Sequence, residues 1–428
     1  MTTNVFVLGL DDHNRQELSA LPGDHRIHPL LELQELTTGE LDMPALLERA
    51  EQQLQAFDGT VDAIIGYWDF PVSSLVPLLC EPRGLPHAPL DAIVRCEHKY
   101  WSRLEQRTVV PEAVPRFAEV DLDRPDPPQD LRYPFWLKPV KAFSSELAFR
   151  VTGDQEYQHA LQQLREGAGR VGAPFQWVMD RIDLPEAIAR AGGTAGLAEE
   201  EANGRQLTVE GYVHGSHPHI YGIVDSDCYP GTSSFLCYEY PSRQSTRVSE
   251  RLTDLTRRVI THMGLDNTAF NVEYFHDPDR DTLTLLEINP RHSQSHAPLF
   301  ESVDGLANHE APLRIALGEE PRHGRGGHYP FAAKWFLRRF HDGLVRAAPT
   351  PDQVRRIEHD HPGVHIEITA QPGQYLSDLG GQDAYSYELA DVFVGADTPQ
   401  EAEETYRACA RALDFDIQDT DPNTAPGD

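Results

Sequence analysis

Lysine is nearly missing from this chain: of 428 residues only four are lysine, at 99, 138, 141 and 334, against 33 arginines. Acidic residues outnumber basic ones by 68 to 37, a formal charge of −31. Such a surface repels phosphate backbones, which argues against a nucleic-acid partner, and its poverty in lysine would suit a high-salt cytoplasm. The five cysteines, at 80, 96, 228, 237 and 409, are odd in number, far apart and free of any C-x-x-C pair. They exclude a disulfide framework and point to reduced thiols and a cytoplasmic location. Long apolar runs are wanting too. None approaches the roughly 18–20 residues that span a bilayer, so no membrane role is expected. The start, MTTNVFVLGLDDHN, has a short apolar strand without the basic stretch of an export signal.

What is present divides by pattern, and this length suggests two or three domains. Strand at 4–10, helix at 41–57, strand at 61–68 and the helical run VSSLVPLLCEPRGLP, stopping before Gly84, predict a small parallel α/β domain over 1–97. A central unit over 98–320 follows, in two lobes. The first, 98–205, holds a strand at 133–140 and a helix at 154–167; its segment 183–205, with AGGTAG and EEEANG, reads as a mobile surface excursion. The second, 206–320, is rich in strands. Residues 321–416 form a further mixed α/β domain and 417–428 a disordered tail. The fold class is therefore α/β and α+β.

The chemistry concentrates in the stretch LLEINPR at 285–291. Glu287, Asn289 and Arg291 stand at every second position and face one way on a strand. Upstream, NVEYFHDPDRDTLTLLEIN reads as a hairpin, strand 270–276 and strand 282–289, which sets Glu273 close to Glu287. Two carboxylates and a carboxamide oxygen suit Mg²⁺ or Mn²⁺ rather than zinc. Magnesium completes its shell with water and phosphate oxygens, so a nucleotide is implied. The rare lysines take on meaning beside this. Lys138 ends an aromatic-rich strand in FWLKPVKAFSSELAFRV, and the turn after it offers backbone N–H groups at 143–145 as a phosphate cradle. Lys99 opens a helix. QLTVEGYVHG turns polar at Glu210 and Gly211 and reads as a hinge whose backbone meets adenine.

Lys99 before a helix, strand-end Lys138, VEGYVHG, NVEYF and LLEINPR, in that order, resemble the ATP-grasp superfamily, of the carboxylate–amine ligase type found in biotin-carboxylase-like and L-amino-acid-ligase-like members. The resemblance spans nearly the whole chain. It implies an N-terminal α/β domain, a two-part central ATP-grasp fold and a C-terminal mixed domain. It also implies that Lys99 and Lys138 hold ATP phosphates, with Ser144 and Ser145 in the phosphate loop. Glu210, Gly211, Tyr212 and Val213 would contact adenine. Glu273, Glu287 and Asn289 would bind one or two Mg²⁺ (or Mn²⁺), and Arg291 and Lys138 would serve catalysis. The phosphate loop departs from the usual pattern in having no glycine.

Three classes of function stay open. A ligase would phosphorylate a carboxylate to an acyl phosphate and join it to an amine, releasing ADP and phosphate; its partners are small molecules, and a homodimer remains open. A biotin-dependent carboxylase is weakened because Ser295 stands where that motif places a glutamate base. A binding module without catalysis has no need of two metal carboxylates. The acceptor pocket is expected among His292 to His296, residues 237–243, and Trp68 with Asp69.

Overall fold

The computed structural model describes residues 2–142, 147–322, 324, 326–380 and 386–419. They group into two compact units, Met1–Ile223 with Gln244–Gln294 and Asn308–His323, and Val224–Arg243 with Ser295–Ala307 and Gly324–Asp428. The strands, in chain order, are β1 (Thr3–Leu8), β2 (His25–Leu30), β3 (Ala63–Ile65), β4 (Phe117–Val120), β5 (Phe135–Pro139), β6 (Phe149–Val151), β7 (Gly196–Glu200), β8 (Arg205–His214), β9 (His217–Cys228), β10 (Phe235–Tyr240), β11 (Thr268–Asp277), β12 (Thr282–Asn289), β13 (Phe331–Arg339), β14 (Gly343–Ala347), β15 (Val364–Ile368), β16 (Tyr387–Ala396) and β17 (Asp416–Asp419).

In the first unit, β2-β1-β3 form a parallel sheet, as the alternation of strands and helices predicts. Asp42 caps the helix Met43–Ala56 by accepting from the Ala45 N–H, and Leu46, Ala50 and Leu54 bury one face at a spacing of four. The helix Val72–Cys80 gives way to a short 3-10 turn that ends at Gly84, whose φ of 63° suits glycine. Beyond the C-terminal ends of β1 and β3, two loops are tied together. The Tyr67 hydroxyl donates to Asp11 (3.0 Å) and the Trp68 indole to the Gly9 carbonyl (2.9 Å).

A four-stranded antiparallel sheet follows, in the order β4-β7-β5-β6. Its place for β7 corrects one expectation. Residues 183–205 are no mobile excursion: they hold the helix Glu186–Ala191 and an inner strand, and Gly196 to Glu199 are buried. The glycines that suggested mobility serve contact instead, because a Cβ at Gly172 would strike the Gly193 carbonyl. The third sheet of this unit runs β12-β11-β8 and on to β9. Across it lies the helix Thr246–Met263, capped by Ser245 and closed by Gly264 at φ 75°, which buries Val248, Leu252, Leu255, Val259, Ile260 and Met263.

The second unit takes β9 from Val224, then β10, β13, β16 and β15 in order, with β14 and β17 paired apart. The helix Pro399–Ala412 supports it, burying Ala402 and Cys409. Among the described residues, no helix is long and apolar enough to cross a membrane.

Candidate nucleotide and metal site

The hairpin of β11 and β12 sets Glu273 directly opposite Glu287 and Asn271 opposite Asn289, with a bulge just after Glu273. Glu287 accepts from the Lys99 ammonium at 3.1 Å. Glu273 accepts from two amides, Gln206 Nε2 at 2.8 Å and Asn289 Nδ2 at 3.1 Å, and Asn289 Nδ2 also reaches the Asn271 Oδ1 at 2.9 Å. The two glutamates therefore differ. Burial raises both, but Lys99 and Lys138 bring Glu287 below the ordinary carboxylate range. Burial and then the charge on Glu287 push Glu273 up to about 7.

Lys99 is the first residue of the helix Lys99–Val109. His98 caps that helix: its Nδ1 accepts from the Trp101 N–H at 3.2 Å, which leaves Nε2–H to donate to the Gly192 carbonyl at 3.1 Å. The Lys99 ammonium also donates to the Ala142 carbonyl, 3.1 Å away, so one side chain ties the backbone just after β5 to β12. Lys138, on β5, meets Glu199 of β7 at 2.5 Å. Arg103 holds the other oxygen of Glu199 at 2.5 Å and donates to the Leu286 carbonyl of β12 at 2.8 Å. Burial opposes the charge on Glu199, yet Arg103 and Lys138 outweigh it and carry the pKa down to about 2. Lys141 is buried against Glu97 at 3.3 Å and lies 5.5 and 5.4 Å from the ring centres of Phe70 and Phe175. In the second unit, Lys334 meets Asp391 at 2.6 Å. All four lysines are thus largely buried, each against a carboxylate.

Arg291 stands two residues past the end of β12. Its guanidinium grips Asp69 with two parallel bonds, Nε to Oδ1 at 2.8 Å and Nη2 to Oδ2 at 2.7 Å. Burial raises the Asp69 carboxyl, but Arg291 overrides that and holds it below its usual range. The fork expected to wait for a substrate carboxylate is occupied by one of the chain's own. A cavity of about 50 Å³ reaches Arg291 and Pro290 from between Ile64–Gly66 and Pro86–Ala88.

The segment 210–213 is not placed as a hinge. Glu210, Gly211, Tyr212 and Val213 lie within the C-terminal half of β8, their backbone laddered to β11 through Asn271, Phe270, Ala269 and Thr268, with β9 on the other side. Glu210 is fully buried and accepts from the Ser293 N–H and the Tyr221 hydroxyl, both at 3.1 Å. Gly211 is needed because a Cβ there would strike the Phe270 ring and the His219 carbonyl. The chain crosses from the four-stranded sheet to the third sheet at 201–204, between β7 and β8. Gly204 has φ 117° and packs its backbone on His276. Ser144 and Ser145 lie outside the described residues.

Sequence reasoning missed Arg103 and Glu199. Arg103 stands one helical turn after Lys99 on the same helix face, a signal that was available. Glu199 left none, since its cations come from distant segments. Of the residues expected around the acceptor, Asp69 joins Arg291, Trp68 is engaged with Gly9 and His292 is buried against His309.

This architecture is the ATP-grasp fold, and residues 131–297 match the ATP-grasp domain family. No curated protein matches the chain in sequence. It is similar to the L-amino acid ligase of Bacillus licheniformis over 97% of its length and 99% of that chain, with a TM-score of 0.73 and 16% identity. The biotin carboxylase domain of the Hydrogenobacter thermophilus 2-oxoglutarate carboxylase, a dimer in complex with MgADP, ADP and bicarbonate, superposes with a TM-score of 0.68 and 15% identity, over 98% of this chain and 92% of that one. A carboxyaminoimidazole ribonucleotide synthase from Aspergillus clavatus, complexed with ATP, gives 0.66 and 18%, over 96% and 98%.

Proposed function

We propose that the chain is an ATP-dependent carboxylate–amine ligase. The observation that supports it most is the facing pair Glu273 and Glu287, with Lys99 reaching across to Glu287 from the start of the helix Lys99–Val109. Oxygen-only donors, one of which, Glu273, has amide partners and no direct ion pair among the described residues, fit a divalent cation such as Mg²⁺ or Mn²⁺. Glu273, Glu287 and Asn289 would hold it; bound there, it would offset charge on the transferring phosphoryl group. The similar enzymes crystallised with ATP or MgADP support the same assignment.

Lys99 and Lys138, each paired to a carboxylate, exchange that carboxylate for phosphate oxygens when ATP enters. The backbone at 201–204, where the chain passes between the two sheets, takes the adenine contacts first expected at 210–213. A carboxylate oxygen of the substrate attacks the γ-phosphorus, the β–γ bond breaks and ADP leaves. The amine nitrogen then attacks the acyl carbon of the acyl phosphate, phosphate departs, and one net proton is released per amide formed. Arg291, exchanging Asp69 for the substrate as the lysines exchange their carboxylates, stabilises the oxyanion of that addition. The test is phosphate release measured over paired small acids and amines. Release that needs both members, with ADP as the nucleotide product, is the expected result. AMP as product, or release driven by bicarbonate with biotin, would overturn the ligase reading.

A further inference from the structure

One set of buried polar groups plays no part in the chemistry above and ends beside Arg291. Asp11 caps the helix Asp12–Ala20 by accepting from the Asn14 N–H. It also accepts from the Asn14 side-chain nitrogen at 2.7 Å and from the Tyr67 hydroxyl at 3.0 Å. With its NH₂ on a carboxylate, Asn14 turns its oxygen to the His309 Nε2, 2.9 Å away. His309 Nε2 therefore carries hydrogen and its Nδ1 accepts, so the His292 Nε2 at 2.8 Å is the donor. A single carboxylate fixes the tautomers of both rings. Asn14, His292 and His309 are 3%, 2% and 0% exposed, and Tyr67 packs its ring edge-on to both histidines. Burial, reinforced by His13, pushes His309 down to about 3, so the chain of bonds is held neutral. On the far side of the same loop, buried Glu210 takes the Ser293 N–H.

We propose that the bonded series Asp11, Asn14, His309 and His292 is a positioning device for Arg291. It fixes the backbone at 291–293, and with it the line along which the guanidinium meets the reacting carboxyl, while touching neither substrate nor nucleotide. The catalytic meaning of this rests on the ligase reading; the positioning itself does not.

The test compares His309→Phe with His309→Asn. Phenylalanine fills the space without an acceptor, whereas the asparagine carboxamide can stand in for Nδ1. Two readouts are taken: the Arg291 side-chain N–H resonance by NMR, assigned through its loss in Arg291→Lys, and kcat alongside the MgATP dissociation constant. His309→Phe should shift the arginine signal and lower kcat by about ten- to a hundredfold, the scale of a misplaced catalytic group. MgATP affinity should stay within about threefold, and His309→Asn should restore most of both. An unmoved arginine signal, or equal damage in both variants with MgATP affinity lost, overturns the positioning role. If His309→Phe does not fold, His292→Gln against His292→Ala gives the same comparison. A shifted arginine signal with turnover unchanged would leave the positioning intact and remove Arg291 from the chemistry.

Discussion

Replacing Lys99 by methionine should weaken MgATP binding and strengthen Mg²⁺ binding, two effects of opposite sign from one substitution. Methionine keeps the stem of the side chain and removes the ammonium. At the 3.1 Å separating that ammonium from Glu287, two unit charges attract by about 5 kcal/mol at an effective dielectric of about 20, which is a ceiling. The side chains are 15% and 34% exposed, and screening reduces the net value to about 1–2 kcal/mol. In the parent, a cation arriving at Glu287 must overcome that pairing. In the variant it finds Glu287 and Glu273 facing each other with no ammonium between them. Mg²⁺ alone should therefore bind about 5- to 30-fold more tightly to the variant, since each 1.4 kcal/mol is a factor of ten. With Lys99 holding an ATP phosphate as proposed, MgATP should bind at least about tenfold more weakly to the variant. Titration calorimetry with each ligand, at fixed pH and ionic strength, reads both numbers. A fall in both affinities would mean that Lys99 only supports the fold. No change in either would remove Lys99 from the site and the metal from Glu287.

Lys141→Ala should damage folding more than Lys138→Ala, because it strands Glu97, which is 5% exposed, without its cation; the expected loss is about 3–5 kcal/mol. Lys138→Ala leaves Arg103 on Glu199 and should instead cost MgATP affinity about tenfold; the reverse order of urea midpoints would refute this. Acid should destabilise the chain through its buried histidines. Burial, then Lys141 and Lys99, hold His98 down to about 4, whereas unfolded it titrates near 6.5. Its contribution is present above pH 6.5 and lost as pH falls toward 4, at about 1.4 kcal/mol per pH unit. His98→Asn keeps a capping side chain and removes the titration, so urea unfolding of parent and variant should diverge at that slope between pH 6.5 and 5; parallel curves would defeat the argument.

Much of this site was legible because its signals are local. The alternation of Glu287, Asn289 and Arg291 and the turn DPDRD fix a hairpin register within 20 residues, and Glu273 does face Glu287. The scarcity of lysine was informative for a related reason. A chain that uses arginine on its surface keeps an ammonium where a compact point charge is wanted, and all four lysines lie against carboxylates in the interior. What could not be read is charge compensation between distant segments. Glu199 stands in a run of three glutamates that looks like solvated surface, yet it is buried by Arg103 and Lys138, 96 and 61 residues away. Asp69 finds its arginine 222 residues on. Glu210 and Gly211 resembled a break in a strand because a carboxylate and a glycine are poor strand formers. The carboxylate is there to hold the loop after Arg291, and the glycine to admit a phenylalanine ring. In each case a residue's local preference was overruled by a partner that only the fold supplies. Burial of a charge is decided by its counter-charge, and in this chain the counter-charges are brought together by the topology and not by the neighbouring sequence.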